Sequence, residues 1–140
     1  MHKSRSILSK IWSKMGSSEI ILLNGARQVG KTTLMLMLKE RLVKENGVPE
    51  SRIFWFDLEK SSDLGLFSSQ SSILAYLPVA QTDKKYYIFI DEFQKAPEIG
   101  SILKVLCDHY PQFKIIITGS ASWYLTMDES LAGRKSVFPG

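Results

Sequence analysis

A three-layer α/β fold, with a parallel sheet held between two layers of helices, is what this 140-residue sequence predicts. Three observations carry that expectation. Short apolar runs alternate along the chain with longer stretches of helical periodicity, which is the pattern of successive βαβ units. The apolar runs are dense rather than alternating, as in strands covered on both faces. No internal repeat is visible and no linker divides the chain, so residues 1–140 read as one domain.

The N-terminal stretch Met1–Lys14 carries His2, Lys3, Arg5, Lys10 and Lys14, with no acid before Glu19. Ile7, Leu8, Ile11, Trp12 and Met15 fall at helical spacing and predict an amphipathic helix over about residues 4–15, docking its stripe on the domain. A membrane-surface helix or an organelle transit peptide is the sharper alternative. A secretory signal is excluded, because no continuous apolar segment of about 7–15 residues is present.

Glu19–Asn24 is the first strand. Thr32–Glu45 follows as a helix, with Leu34, Leu38 and Leu42 repeating every four residues, and Asn46-Gly47 with Pro49 beyond stops it. Arg52–Leu58 is the second strand. Ser61–Ser72, with six serines in twelve positions, reads as a loop that enters a short helix at Ser72–Leu77. Lys85–Asp91 is a third strand, apolar enough to be central. A helix then runs from beyond Pro97 to about Tyr110 with Ile99, Ile102, Leu103 and Leu106 inward, and Cys107 sits at the edge of that face as a packed thiol. Lys114–Thr118 is the fourth strand, Trp123–Ala132 a helix capped by Gly133, and Lys135–Phe138 a fifth strand.

Composition narrows the function. Eighteen Lys and Arg against fourteen Asp and Glu leave +4, and 44% apolar with 23% charged residues is ordinary for a globule. So small a surplus permits an anionic ligand without being the dense basic stripe of a dedicated nucleic-acid binder. Cys107 is the single cysteine and only His2 and His109 offer imidazole, so an internal disulfide is excluded and a zinc or iron site is not expected. No apolar run approaches the roughly 18 residues of a membrane span. A reducing, cytoplasmic setting is expected.

The strongest motif is Gly25-Ala-Arg-Gln-Val-Gly30-Lys31-Thr32, which satisfies GxxxxGK[ST] between an expected strand and an expected helix. Glycine at both ends lets the loop curl until successive backbone N–H groups face one anion, and the helix N-terminus adds partial positive charge there. In this pattern Lys31 reaches the β- and γ-phosphates and the Thr32 hydroxyl ligates Mg²⁺. A β-hairpin at Asn24-Gly25 is the plain alternative, and it fails because no second alternating strand follows.

The second motif, Tyr86–Glu92, is an apolar strand ending in two acids at the carboxyl edge of a parallel sheet, where such folds bind ligands. Asp91 can hold Mg²⁺ through waters, and Glu92 can polarise an attacking water. The third, Ile115–Ser120, is a strand ending in hydroxyls. If it lies between the first and third strands, Thr118 or Ser120 stands beside the γ-phosphate; for Ser120 a helix N-cap is an equal reading. No Asn-Lys-x-Asp element of a guanine-specific GTPase occurs, nor the Leu-Ser-Gly-Gly-Gln signature of a transport ATPase. The acid pair suits water activation better than transfer to a bound hydroxyl, so the motifs together favour ATP hydrolysis.

Gly25–Leu34, the stretch Ile-Asp-Glu-Phe-Gln-Lys-Ala-Pro at 90–97, Thr118–Ser120 and Leu131–Arg134, in this order, resemble the AAA-type bacterial and archaeal ATPases of the AAA_14 family. The resemblance implies a P-loop NTPase core of the ASCE type with strand order 5-1-4-3-2, binding ATP and Mg²⁺. It maps the phosphate cradle to Gly25, Ala26, Arg27, Gln28, Val29, Gly30, Lys31, Thr32 and Thr33, the Mg²⁺ ligands to Thr32 and Asp91, the catalytic acid to Glu92 and the polar sensor to Thr118. Gln94 belongs to the same signature with no chemistry assigned to it. Arg134 is either an arginine that meets a γ-phosphate, in its own subunit or a neighbour's, or a solvated cation at a helix C-terminus. Arg27 contacts phosphate or pairs with Asp57 or Glu59.

Members of this family usually continue past the Leu-Ala-Gly-Arg element, often into a nuclease-like region. A chain ending at Pro139-Gly140 therefore reads as the ATPase core alone, with weak hydrolysis expected. The leading expectation is a Mg²⁺-dependent ATP-hydrolysing regulatory or motor core, with a homo-oligomer among the expected states. A nucleotide-gated binding module with negligible turnover and a DNA-associated ATPase are the alternatives.

Overall fold

The computed structural model describes residues 2–25, 29–120 and 135–139. Five strands form one parallel sheet: β1 (Ile20–Gly25), β2 (Ile53–Asp57), β3 (Tyr86–Asp91), β4 (Phe113–Ser120) and β5 (Lys135–Pro139), in the spatial order β2-β3-β4-β1-β5. Read from the other edge, this is the expected 5-1-4-3-2.

The strands show why both helical layers are needed. Along β1, Ile20 and Leu22 face one core while Ile21 and Leu23 face the other. The same alternation sends Ile88 and Ile90 of β3 and Ile115 and Ile117 of β4 to the first core, and Phe89 and Ile116 to the second. A strand has a side-chain period of two, so apolar residues at every position require cover on both sides. The first core is closed by α3 (Ser61–Leu66), α4 (Gln70–Tyr76) and α5 (Ile99–His109). The second is closed by α1 (His2–Ser13) and α2 (Val29–Asn46). The β1–β2 crossover thus covers one face and the β2–β3 and β3–β4 crossovers the other, the arrangement in which parallel sheets bind ligands at their carboxyl edge.

Leu34, Leu38 and Leu42 are buried as their spacing requires, joined by Met35. Gly47 takes a φ of 64° just past α2, the left-handed conformation that glycine adopts without steric penalty. The expected loop at Ser61–Ser72 is instead two short helices. Ser69 caps α4 by accepting from the Ser72 N–H at 3.1 Å, so α4 starts at Gln70, two residues before the expected Ser72. The Asp63 carboxylate accepts from the Asp57 N–H at 2.9 Å, and Phe67 is buried between the two helices. The serines are caps and solvent-facing positions, while Leu64, Leu66 and Phe67 pack on the core. The expected helix at Trp123–Ala132 and its Gly133 cap lie outside the described residues.

The N-terminal stripe docks on the domain. Ile11 and Met15 are buried in the second core, with Ile7, Leu8 and Trp12 packed against it, and the Arg41 guanidinium lies 4.4 Å from the Trp12 ring centre. No described helix is long and apolar enough to cross a membrane.

A buried lysine secures this docking. Lys114, on β4, is 2% exposed, and its Nζ donates to the carbonyls of Lys14, Ser17 and Glu19 at 2.9, 2.8 and 2.5 Å and to Ser17 Oγ at 3.2 Å. Three ammonium protons therefore serve four oxygens of the segment joining α1 to β1. Burial first, and then the Lys85 charge, hold the ammonium down to about 8 from its ordinary 10.5. The unfolded chain binds that proton more tightly, so the cost of the buried charge is present in full below pH 8. Between about pH 8 and 10.5 this group makes stability rise with pH. Tyr87, whose phenol burial raises, acts in the opposite sense above pH 10, because the unfolded chain loses its proton first. Lys114→Met leaves the carbonyls without a donor and is expected to cost about 1–3 kcal/mol. Urea melts should show the variant losing the rise in stability above pH 8, and Trp12 emission should report α1 loosened. A variant as stable as the parent, with the same pH slope, would remove Lys114 from this role.

Candidate active site

The register lines up the candidate residues at one edge. Leu23 of β1 pairs with Thr118 of β4, Asn24 with Gly119 and Gly25 with Ser120, while Ile90 of β3 pairs with Ile117. Asp91, the last residue of β3, therefore stands level with Thr118 on the adjacent strand. β4 lies between β1 and β3, the arrangement on which the expectation for Thr118 depended.

Helix α2 starts at Val29, so Gly30, Lys31 and Thr32 form its first turn rather than a loop before it. That turn turns Thr32 towards β3: its Oγ1 donates to Asp91 Oδ2 at 3.1 Å. Lys31 is 2% exposed and its Nζ donates to the Gly119 carbonyl at 2.9 Å. Thr33 is exposed. Thr118 is fully buried, and its hydroxyl donates to Asp91 Oδ1 while accepting from the Glu92 N–H at 3.1 Å. Its direct contacts are thus with the two acids, whose positions it ties together.

Glu92 is the one described non-glycine residue with a positive φ (φ 60°, ψ 52°). Such a conformation costs on the order of 1–3 kcal/mol and persists only where its surroundings hold it. Here the bond to Thr118 and a 3-10 turn at Phe93–Lys95 do so. Gln94, in that turn, donates from Nε2 to Glu92 Oε1 at 2.6 Å. Gly119 closes the arrangement: a methyl there would stand 2.0 Å from Phe93 Cε1 and 2.9 Å from Gln94 Oε1, so only glycine lets β4 and the turn approach.

Ala26, Arg27, Gln28 and Arg134 lie outside the described residues, as do the side chains of Asn24, Val29 and Ser120. Asp57 accepts from the Glu59 N–H through Oδ1 at 3.0 Å. Among the described residues no group of three or more His, Cys, Asp or Glu side chains is placed to hold a metal ion. The oxygens of Thr32 and Asp91 are hard donors of the kind Mg²⁺ takes in ones and twos, leaving its other positions to water and phosphate.

Two site features, and a third feature away from the site, went unread in the sequence. Gln94 and Gly119 were inside motifs, but their roles depend on a contact between β4 and the turn after β3. Lys114 gave one signal, a cation inside an otherwise apolar strand.

The family model AAA_14, described as an AAA domain, matches residues 17–139. The chain belongs to the AAA domain family. This AAA domain is 34% identical over 133 residues to an uncharacterized protein of Mycobacterium tuberculosis, covering 93% of the chain and 26% of that protein. It thus spans about a quarter of the length of the curated relatives it matches. Among solved structures, a chain in the structure of Drosophila ORC bound to DNA superposes with a TM-score of 0.66 at 11% identity, over 99% of this AAA domain and 89% of that chain. A DNA polymerase III gamma subunit-related protein of Thermotoga maritima gives 0.61 at 17% identity, over 95% and 45%. Both likenesses establish the fold, and family membership makes the chain a nucleotide-binding, ATPase-type module.

Proposed function

We propose that this AAA domain hydrolyses ATP at the carboxyl edge of its sheet, with Glu92 as the acid that activates water. The observation that carries the reading is the Thr32–Asp91 contact at 3.1 Å, which joins the first turn of α2 to the end of β3 with Glu92 next in sequence. Two hard oxygen ligands, a buried lysine and an adjacent carboxylate at one sheet edge fit a phosphate chain with a divalent ion better than any other ligand class.

The residues divide the work. The Gly25–Thr33 backbone and the α2 N-terminus receive the phosphates, and Lys31 exchanges the Gly119 carbonyl for a phosphate oxygen. Thr32 and Asp91 would hold Mg²⁺, which when bound supplies neutralisation of charge on the β- and γ-phosphate oxygens. Glu92 takes a proton from water as its oxygen bonds to the γ-phosphorus. The bond from that phosphorus to the β-phosphate bridging oxygen breaks, giving ADP and inorganic phosphate. Thr118 positions both acids through its two hydrogen bonds.

The test is phosphate release beside a Mg-ATP thermal shift on the same sample, with Asp91→Asn as the variant. The parent should be stabilised by Mg-ATP and release phosphate over many turnovers. Asp91→Asn should lose most of the Mg²⁺-dependent part of that stabilisation. Stabilisation without phosphate release would make the chain a binding module with negligible turnover, and the hydrolysis reading would fall.

A further inference from the structure

Gln94 stands two residues beyond Glu92, in the turn between β3 and α5, and its Nε2 lies 2.6 Å from Glu92 Oε1. An N–H bond to a carboxylate at that length is charge-assisted and about twice as strong as a neutral one. Two flexible side chains so close in sequence ordinarily hold each other weakly, because each must give up rotational freedom to meet. Here both ends are already constrained. The Glu92 backbone is fixed in the left-handed region with its N–H on Thr118. Phe93 is fully buried, and Gly119 leaves so little room that an added methyl would press on both the Phe93 ring and Gln94 Oε1. The amide of Gln94 is therefore seated between the Gly119 backbone and the Glu92 carboxylate.

We propose that Gln94 is a positioning residue: its amide, seated on Gly119, sets the orientation of the Glu92 carboxylate at the end of β3. The inference rests on the reading of Glu92 as the water-activating acid. A carboxylate held through one oxygen keeps the plane, and hence the lone-pair direction, of the other defined, which matters where a proton must be taken along one line. Gly119 also accepts from Lys31 at 2.9 Å, so the residue that seats Gln94 is the one that holds the cradle lysine.

Two measurements test it. The first needs no nucleotide: the side-chain amide resonances of Gln94, recorded in the parent and in Glu92→Ala. They should be displaced downfield in the parent and move to the position of an unbonded glutamine amide in the variant. Resonances that do not move overturn the proposal, whether or not the chain hydrolyses ATP. The second is steady-state hydrolysis by Gln94→Leu and Gln94→Glu. Both should lower kcat about tenfold, with KM and the Mg-ATP thermal shift unchanged, since Gln94 acts through Glu92 and not on the nucleotide. An unchanged or raised kcat overturns the positioning role, as does a joint loss of kcat, KM and melting temperature. If the parent releases no phosphate, the hydrolysis reading fails and the amide measurement alone decides whether Gln94 holds Glu92.

Discussion

Glu92→Gln is expected to leave Mg-ATP bound and to lower its hydrolysis by about 10²–10⁴, the largest effect foreseen for a single substitution here. Glutamine matches glutamate in size and can occupy the same left-handed turn, so Thr118 still receives the backbone N–H. What it lacks is a group that accepts a proton from water at neutral pH. It also turns the Gln94 contact, now charge-assisted at 2.6 Å, into one between two neutral amides. Nucleotide affinity should survive because Lys31, Thr32 and Asp91 are untouched. ATP should persist in the variant and raise its melting temperature, since a ligand that binds only the folded state stabilises it. Single-turnover phosphate release beside thermal shift is the measurement. Hydrolysis at the parental rate would put the base elsewhere and sink the mechanism.

Lys31→Ala should fail earlier, at binding. On the proposed reading the ammonium would meet phosphate oxygens, and because Lys31 is only 2% exposed such a charge-assisted contact would be little screened. Its loss is expected to cost on the order of 2–4 kcal/mol, or roughly 30- to 1,000-fold in affinity. The substitution also removes the donor to the Gly119 carbonyl, so some loss of stability without nucleotide is expected. Titration calorimetry with Mg-ATP separates the two, because the binding loss is read on protein that is still folded at the working temperature. Affinity within threefold of the parent would show that Lys31 does not touch the phosphates. Together the variants distinguish a residue that meets the substrate in the ground state from one that acts as the bond breaks.

Strands β1, β3 and β4 and helices α2 and α5 were legible in the sequence, because apolar periodicity is a local property and a sheet covered on both faces imposes it strongly. The sheet order came only from the resemblance to the AAA_14 family. The Gly25–Thr32 motif and the Asp91-Glu92 pair stand out in the sequence because their residues sit at fixed local spacing; that they serve a phosphate chain is our proposal. The Ser61–Ser72 segment was misread because serine looks alike as a cap, a solvent-facing helix position or a loop residue. Only packing of Leu64, Leu66 and Phe67 against the first core decides among them. The tertiary structure alone determined how the site is held. Thr32 meets Asp91 across 59 residues, Lys31 meets Gly119 across 88, and Lys114 reaches the segment joining α1 to β1 across 95 to 100. No local pattern encodes such pairings. Each depends on strand register and crossover, which set one side chain against a partner that lies far away along the chain.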